Sequence, residues 1–262
     1  MKRPSPRAIL ALLCLVALAT ASLASAEVLQ HGHVRIKLSG ELSPKKLPRN
    51  GTAPIGVEVG GHIATTDGSP PPQLTTMAIE LNREGMLDTK GLPLCPYSAL
   101  EPASTSRAMA NCKAALVGKG SFEAEVSLTG QESYVAKGKL LAFNGRKGGK
   151  PVLFAHIYSP RPFATSFVIV FKIEHASGGQ FGSAMVAKLP KTLSTWGKLT
   201  GIELNLDRRY SAAGKRRSYL SAGCPAPKGI SKVAFPLART SFGFAGGPTL
   251  RGTLTRTCKA RG

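Results

Sequence analysis

Five cations and a tyrosine carry the densest chemistry in the chain. Arg208, Arg209, Lys215, Arg216 and Arg217 crowd together, and Tyr219 follows two residues later. Guanidinium and aromatic groups side by side offer both charge and stacking, which suits an anionic polymer or a glycan. Tyr219 is counted with the cations on that ground; packing in the core beside Cys224 is its competing reading. The cluster opens an acid-free run, with twelve Lys/Arg and no Asp or Glu from Arg208 to Gly262. The whole chain has 35 Lys/Arg against 14 Asp/Glu, a formal charge of +21 in 262 residues. Such a surface attracts polyanions, although the same charge would also serve solubility alone.

Other reactive groups form weaker patterns. Glu123 and Glu125 share one face of a strand, as do Glu203 and Asp207 at wider spacing. Polysaccharide hydrolysis needs two carboxylates flanking one bond, so a secreted hydrolase is the alternative function. All four alternate with core positions, so a solvated face is the default and no catalytic residue is assigned. No Gly-x-Ser-x-Gly elbow occurs; Gly182-Ser183-Ala184 is the nearest approach, and it belongs to a strand. His31 and His33 read as a flexible solvated terminus, while His62 and His175 read as solvated. His156 lies in an apolar strand and reads as a buried imidazole. Trp196, Tyr97, Tyr134, Tyr158 and Tyr210 are the remaining candidates for a sugar-stacking platform. No phosphate loop, dinucleotide fingerprint or calcium loop is present, so no cofactor is expected. Nor is there a recognition helix or aromatic strand motif, so specific nucleic-acid binding is not expected.

The first 26 residues read as an address. Lys2, Arg3 and Arg7 precede the apolar run Ile9–Ala19, and Ala24-Ser25-Ala26 has the small residues of a cleavage site. This order is that of a secretory signal peptide, and the run is short for a membrane span. Cleavage before Glu27 leaves a chain of charge +18. No later stretch is long and apolar enough to span a bilayer. Cys95, Cys112, Cys224 and Cys258 then remain, an even count that reads as two disulfides in an exported chain. Three pairings are possible. Cys95–Cys112 with Cys224–Cys258 is the favoured one, because near neighbours close small loops. Zinc would want paired Cys-x-x-Cys or histidines at ligand spacing, and neither occurs.

The elements that would position these groups are mostly strands. Phe163, Thr165, Phe167, Ile169, Phe171 and Ile173 form one apolar stripe. Val168 and Val170 make the opposite face apolar too, so this strand should be central and covered on both sides. With Tyr134–Phe143 and Val152–Tyr158 it makes an antiparallel meander, joined by the Asn144–Pro151 turn and a Pro-rich corner. Ser104–Val117 is the one helix candidate, capped by Ser104 or Thr105 and stopped by Gly118 and Gly120. Arg208–Arg217 reads as a basic loop. About a dozen short strands between Gly/Pro turns point to an all-β fold, an antiparallel β-sandwich of jelly-roll-like or similar kind with one short helix. Residues 27–262 are expected to form one such domain, with two sandwiches as the alternative.

Three stretches carry a resemblance. Cys112-Lys113-Ala114-Ala115-Leu116-Val117-Gly118, Leu140-Leu141-Ala142-Phe143-Asn144-Gly145 and Ser218-Tyr219-Leu220-Ser221-Ala222-Gly223-Cys224-Pro225 resemble uncharacterised secreted β-rich proteins of high-GC Gram-positive bacteria. The resemblance implies export and a compact, disulfide-stapled domain, and it implies no catalytic residues. The resulting expectation is an exported, non-enzymatic protein, extracellular or envelope-associated. It would bind an anionic envelope polysaccharide or wall polymer through its basic C-terminal third.

Overall fold

Alternation becomes strand wherever a bulky apolar residue recurs at every second position. The computed structural model describes residues 26–261 apart from 128–129, 131, 162–163, 177 and 192–196. Residues 1–25 of the expected leader, Phe163 at the start of the apolar stripe, and Trp196 lie outside the described residues. In chain order come β1 (Glu27–His31), β2 (Val34–Ser43), β3 (Lys46–Pro48), β4 (Ala53–Pro54), β5 (Gly56–Thr65), β6 (Leu74–Asn82) and β7 (Gly85–Leu87). Helix α1 (Thr105–Cys112) separates these from β8 (Leu116–Val126), β9 (Tyr134–Lys147), β10 (Lys150–Ser159), β11 (Thr165–His175) and β12 (Phe181–Lys188). Then follow β13 (Lys198–Leu206), β14 (Arg209–Ala212), β15 (Lys215–Ser218), β16 (Leu220–Ala222), β17 (Lys232–Phe244) and β18 (Thr249–Arg261).

Thirteen of these strands make one sheet, in the order β1-β2-β5-β13-β8-β9-β10-β11-β12-β6-β17-β18-β3. Every pairing in it is antiparallel except β18 with β3. The expected meander is its middle: Ala155 of β10 sits opposite Ala142 of β9 and Ile169 of β11. A two-residue turn joins β9 to β10. Gly148 and Gly149 both take positive φ, 58° and 74°, the conformation that matches the twist of the strands and that side chains resist.

The sheet curls until its ends touch. Gly40 of β2 lies against Leu254 of β18, and Gly252 of β18 lies against Leu29 of β1; a Cβ at either glycine would overlap the leucine. Glu27 accepts from the Thr255 amide at 3.1 Å and from Arg256 Nη1 at 2.6 Å. Side chains, not a backbone ladder, close this seam. The facing layers expected of a sandwich are therefore parts of one continuous sheet, because strand twist accumulates over its width and small residues let the ends meet. The main core lies in the interior, with Ile36, Leu74, Ile169, Phe171, Leu204 and Phe242 among its members. A small sheet, β4-β16-β7, adds Leu220 and Ala222 to it.

A second core lies on the outer face of the meander. Phe167, Ile169 and Phe171 of β11 point inward, whereas Val168 joins Leu141, Phe143 and Phe154 under α1. The central strand is thus covered on both sides, as its sequence predicts. Ser104 Oγ accepts from the Arg107 amide at 3.2 Å and caps the helix. The helix is shorter than expected, and Gly118 and Gly120 do not stop it. They belong to β8, where β13 passes so close that a Cβ at Gly120 would overlap the Glu203 carbonyl oxygen. Both disulfides take the favoured pairing: Cys95–Cys112 holds α1 to the preceding loop, and Cys224–Cys258 ties β18 to the body. No helix among the described residues is long and apolar enough to cross a membrane.

Candidate functional site

Arg209–Ser218 is a two-stranded hairpin rather than the expected basic loop. β14 and β15 pair only with each other. Ala213 and Gly214 make the turn with φ of 50° and 71°. Register then sorts the cations by face. Arg209 pairs with Ser218 and Ser211 with Arg216, while Tyr210 pairs with Arg217 and Ala212 with Lys215. Directly paired residues share a face and successive residues alternate, so Arg209 and Arg216 stand on one side and Tyr210, Arg217 and Lys215 on the other.

The Tyr210 side anchors the hairpin. Tyr210 donates from its hydroxyl to the carbonyls of Asp88 (3.0 Å) and Lys90 (3.2 Å). Burial, with the Asp88 charge adding to it, raises the Tyr210 pKa and keeps that proton in place. Arg217 Nη1 meets Asp88 Oδ2 at 2.7 Å, with both side chains about three-quarters covered. Ala212 abuts Gly91, where a Cβ would come within 2.6 Å of its own. Arg208 is half-buried and reaches the Ala114 carbonyl at 3.4 Å. Arg217 and Arg208 therefore hold the structure together. Arg209, Lys215 and Arg216 are exposed and have no acidic partner among the described residues.

Tyr219 leaves the expected surface. It is fully buried in the main core, close in sequence to Cys224, and its hydroxyl has no hydrogen-bond partner. Burial pushes its pKa far up. The backbone turns inward after Ser218, so neighbourhood in sequence to Arg216 and Arg217 does not carry Tyr219 to the outside.

Topology adds cations that no local motif joins to the hairpin. Leu206 of β13 pairs with Gly118 of β8, and Leu116 of β8 with Phe143 of β9. The end of β13, the start of β8 and the β9–β10 turn therefore lie at the same end of the sheet. The hairpin, exposed Lys113, and exposed Arg146, Lys147 and Lys150 gather there. The Asp88–Tyr97 segment runs between the two hairpins: Tyr210 holds one part, and at the other Cys95 bridges to Gly145 and Lys147 sits 5.2 Å above the Tyr97 ring. Of the acids nearby, Asp88 is occupied by Arg217 and Glu101 by the Tyr97 hydroxyl, while Asp207, exposed just beyond the end of β13, has no cationic partner among the described residues. In sequence, Asn144–Pro151 shows turn chemistry only. Its cation density was the available signal, and it lies sixty residues from the acid-free run.

The carboxylates occupy a different surface. A shallow trough of about 330 Å³ on the outer face of β2, β5, β13 and β8 is lined by His62, Glu123 and Glu203 and floored by Gly60, Gly61 and Gly201. Glu123 Oε2 lies 3.8 Å from His62 Nδ1, and the same carboxylate pairs with Lys137. Ser121 donates to Glu203 Oε2 at 3.4 Å. Asp207 is exposed beyond the end of β13 and is not in the trough. His31 and His33 are not a flexible terminus: they flank Gly32 in the turn of the β1–β2 hairpin, both exposed. His156 is buried under α1 as expected, with Nε2 3.0 Å from the Ala103 carbonyl and Nδ1 unpartnered. Compared with protein-family models, curated proteins and solved structures, the chain matches none.

Proposed function

We propose that this chain is an exported, non-enzymatic protein that associates with anionic cell-envelope polymers through the cationic end of its curled sheet. The observation that carries the reading is the convergence at that end of the Arg209–Ser218 hairpin, Lys113 and the Lys147–Lys150 turn. Arg209, Lys215 and Arg216 project from an anchored hairpin, a shape suited to an extended polyanion. Two disulfides fit an oxidising compartment.

The test is binding to a wall-type poly(glycerol phosphate) across a salt series, with a neutral polysaccharide and duplex DNA as controls. Arg209→Gln/Lys215→Gln/Arg216→Gln should weaken binding and make the logarithmic salt dependence shallower by about two, as expected for three lost phosphate contacts. Arg161→Gln/Lys188→Gln, just after β10 and at the end of β12, away from the Arg209–Ser218 hairpin and the Lys147–Lys150 turn, should leave binding unchanged. Equal losses in the two variants would reject the site, and equal binding to every polyanion would reject specificity.

A second reading rests on the trough that brings Glu123, Glu203 and His62 together, a constellation open to a polysaccharide hydrolase. Turnover on a glycan panel, abolished by Glu123→Gln or Glu203→Gln, would establish it.

A further inference from the structure

The inside of the curled sheet is not completely filled. A cavity of about 110 Å³ lies between Leu38 and Ile63 on one wall and Met77 and Phe242 on the other. A second, of about 90 Å³, adjoins it toward Ile55 and Leu220. Val59, Ile79, Phe171, Leu204, Ala238 and Leu254 line both. Empty space persists because small residues occupy places where larger ones would meet little: a Cβ at Gly61 would touch nothing nearer than Leu38 Cδ2 at 3.6 Å.

One residue of the apolar lining carries a covered polar atom without a partner. Thr200, only 7 % exposed, lines the larger cavity, and its Oγ1 makes no hydrogen bond. Thr240, the other threonine there, already donates to the Gly252 carbonyl. A buried hydroxyl left unpaired is costly unless something supplies the missing bond. An apolar cavity of about 150 Å³ stays dry and accepts benzene, a volume that the two adjoining cavities exceed only together.

We infer that the interior of the sheet binds a small, mostly apolar ligand of about six or seven non-hydrogen atoms, with the Thr200 hydroxyl, covered by its neighbours here, turning to hydrogen-bond the single polar atom of that ligand. The apolar part fills the space between the layers. Access is through the seam. Leu254 sits both on the larger cavity and against Gly40, so displacing side chains there opens a path without breaking a backbone ladder. The site is separate from the cationic hairpin, so either proposal can fail alone.

Benzene and phenol are the matched probes, titrated into the full chain by calorimetry and by thermal shift. Both should bind saturably and raise the midpoint of unfolding. Thr200→Val keeps the shape and removes the hydroxyl; it should retain benzene and weaken phenol about tenfold. Ala238→Leu should fill the shared belt and abolish both, with the far-ultraviolet circular dichroism unchanged; if that variant does not fold, Gly61→Ala should weaken both. Absence of binding by either probe to the wild-type chain overturns the inference. So does an equal loss of benzene and phenol in Thr200→Val, or unchanged binding in the filled variant.

Discussion

Replacing Tyr219 by Phe should stabilise the protein. The Tyr219 side chain is fully buried, and its hydroxyl has no partner. Removing an unsatisfied buried hydroxyl recovers its desolvation cost, about 1–3 kcal/mol, and breaks no hydrogen bond. The ring volume is nearly unchanged, so no cavity term opposes the gain. For a chain of this size the midpoint of thermal unfolding should rise by at least about 2 °C. The effect also has a pH signature. Burial raises the tyrosine pKa in the native state above its ordinary value of 10. Above that value the unfolded chain releases the proton while the native chain keeps it. Stability is therefore intact below about pH 10 and falls as pH climbs further, by at most about 1.4 kcal/mol per unit from this group. Tyr219→Phe lacks that loss, so its advantage over wild type should widen between pH 9 and pH 11 in denaturant titrations. Destabilisation at pH 7, or a constant advantage across that range, would refute the buried, unpartnered hydroxyl. Reduced polymer binding by a folded Tyr219→Phe would restore the surface reading.

Gly120→Ala should cost more than about 3 kcal/mol or prevent folding, because the new methyl meets the β13 backbone; expression and urea midpoints against Gly61→Ala as the tolerated control check this. Cys224→Ala/Cys258→Ala should lose about 4 kcal/mol on the loop-entropy scale for its 34-residue separation, measured by denaturant unfolding, and Cys95→Ala/Cys112→Ala about 3 kcal/mol. His156 is held below its usual pKa of 6.5, mainly by burial. Its contribution is present above that value and is lost as pH falls, because the unfolded chain takes up the proton first. His156→Leu should therefore flatten the decline in stability between pH 6.5 and pH 4.5, at a cost at pH 7 of about 1 kcal/mol for the lost bond to Ala103.

What could be read directly from the sequence was local. Strict alternation in β11 and its partners gave the meander and its double coverage, since side-chain period is a property of a single strand. Cysteine pairing followed from loop size. Gly118 and Gly120 misled because the reason for a glycine lay in another strand: the backbone of the neighbouring β13 lies close against them, and no local pattern announces that approach. The cationic cluster was visible as composition, but its division was not. Whether Arg217 is exposed or bonded to Asp88 depends on the register of a hairpin against a segment more than a hundred residues away. Tyr219 shows the same limit, since one turn of the backbone separates surface from core. The cavity was invisible for a further reason. It arises from the summed twist of thirteen strands, to which no single residue points.

The seam between β1 and β18 also ties the architecture to time. The residues that close it, Leu29 and Gly40 on one side and Gly252 and Leu254 on the other, lie at opposite ends of the chain. During vectorial synthesis the first wall is made and must wait for nearly the whole sequence before its counterpart emerges. Until then the layer opposite β2 and β5 lacks its β17–β18 part, and the enclosed volume is incomplete. A ribosome-stalled or truncated chain ending before β17 should therefore behave as an open, sticky sheet, and enclosure should arrive abruptly with the final strand pair.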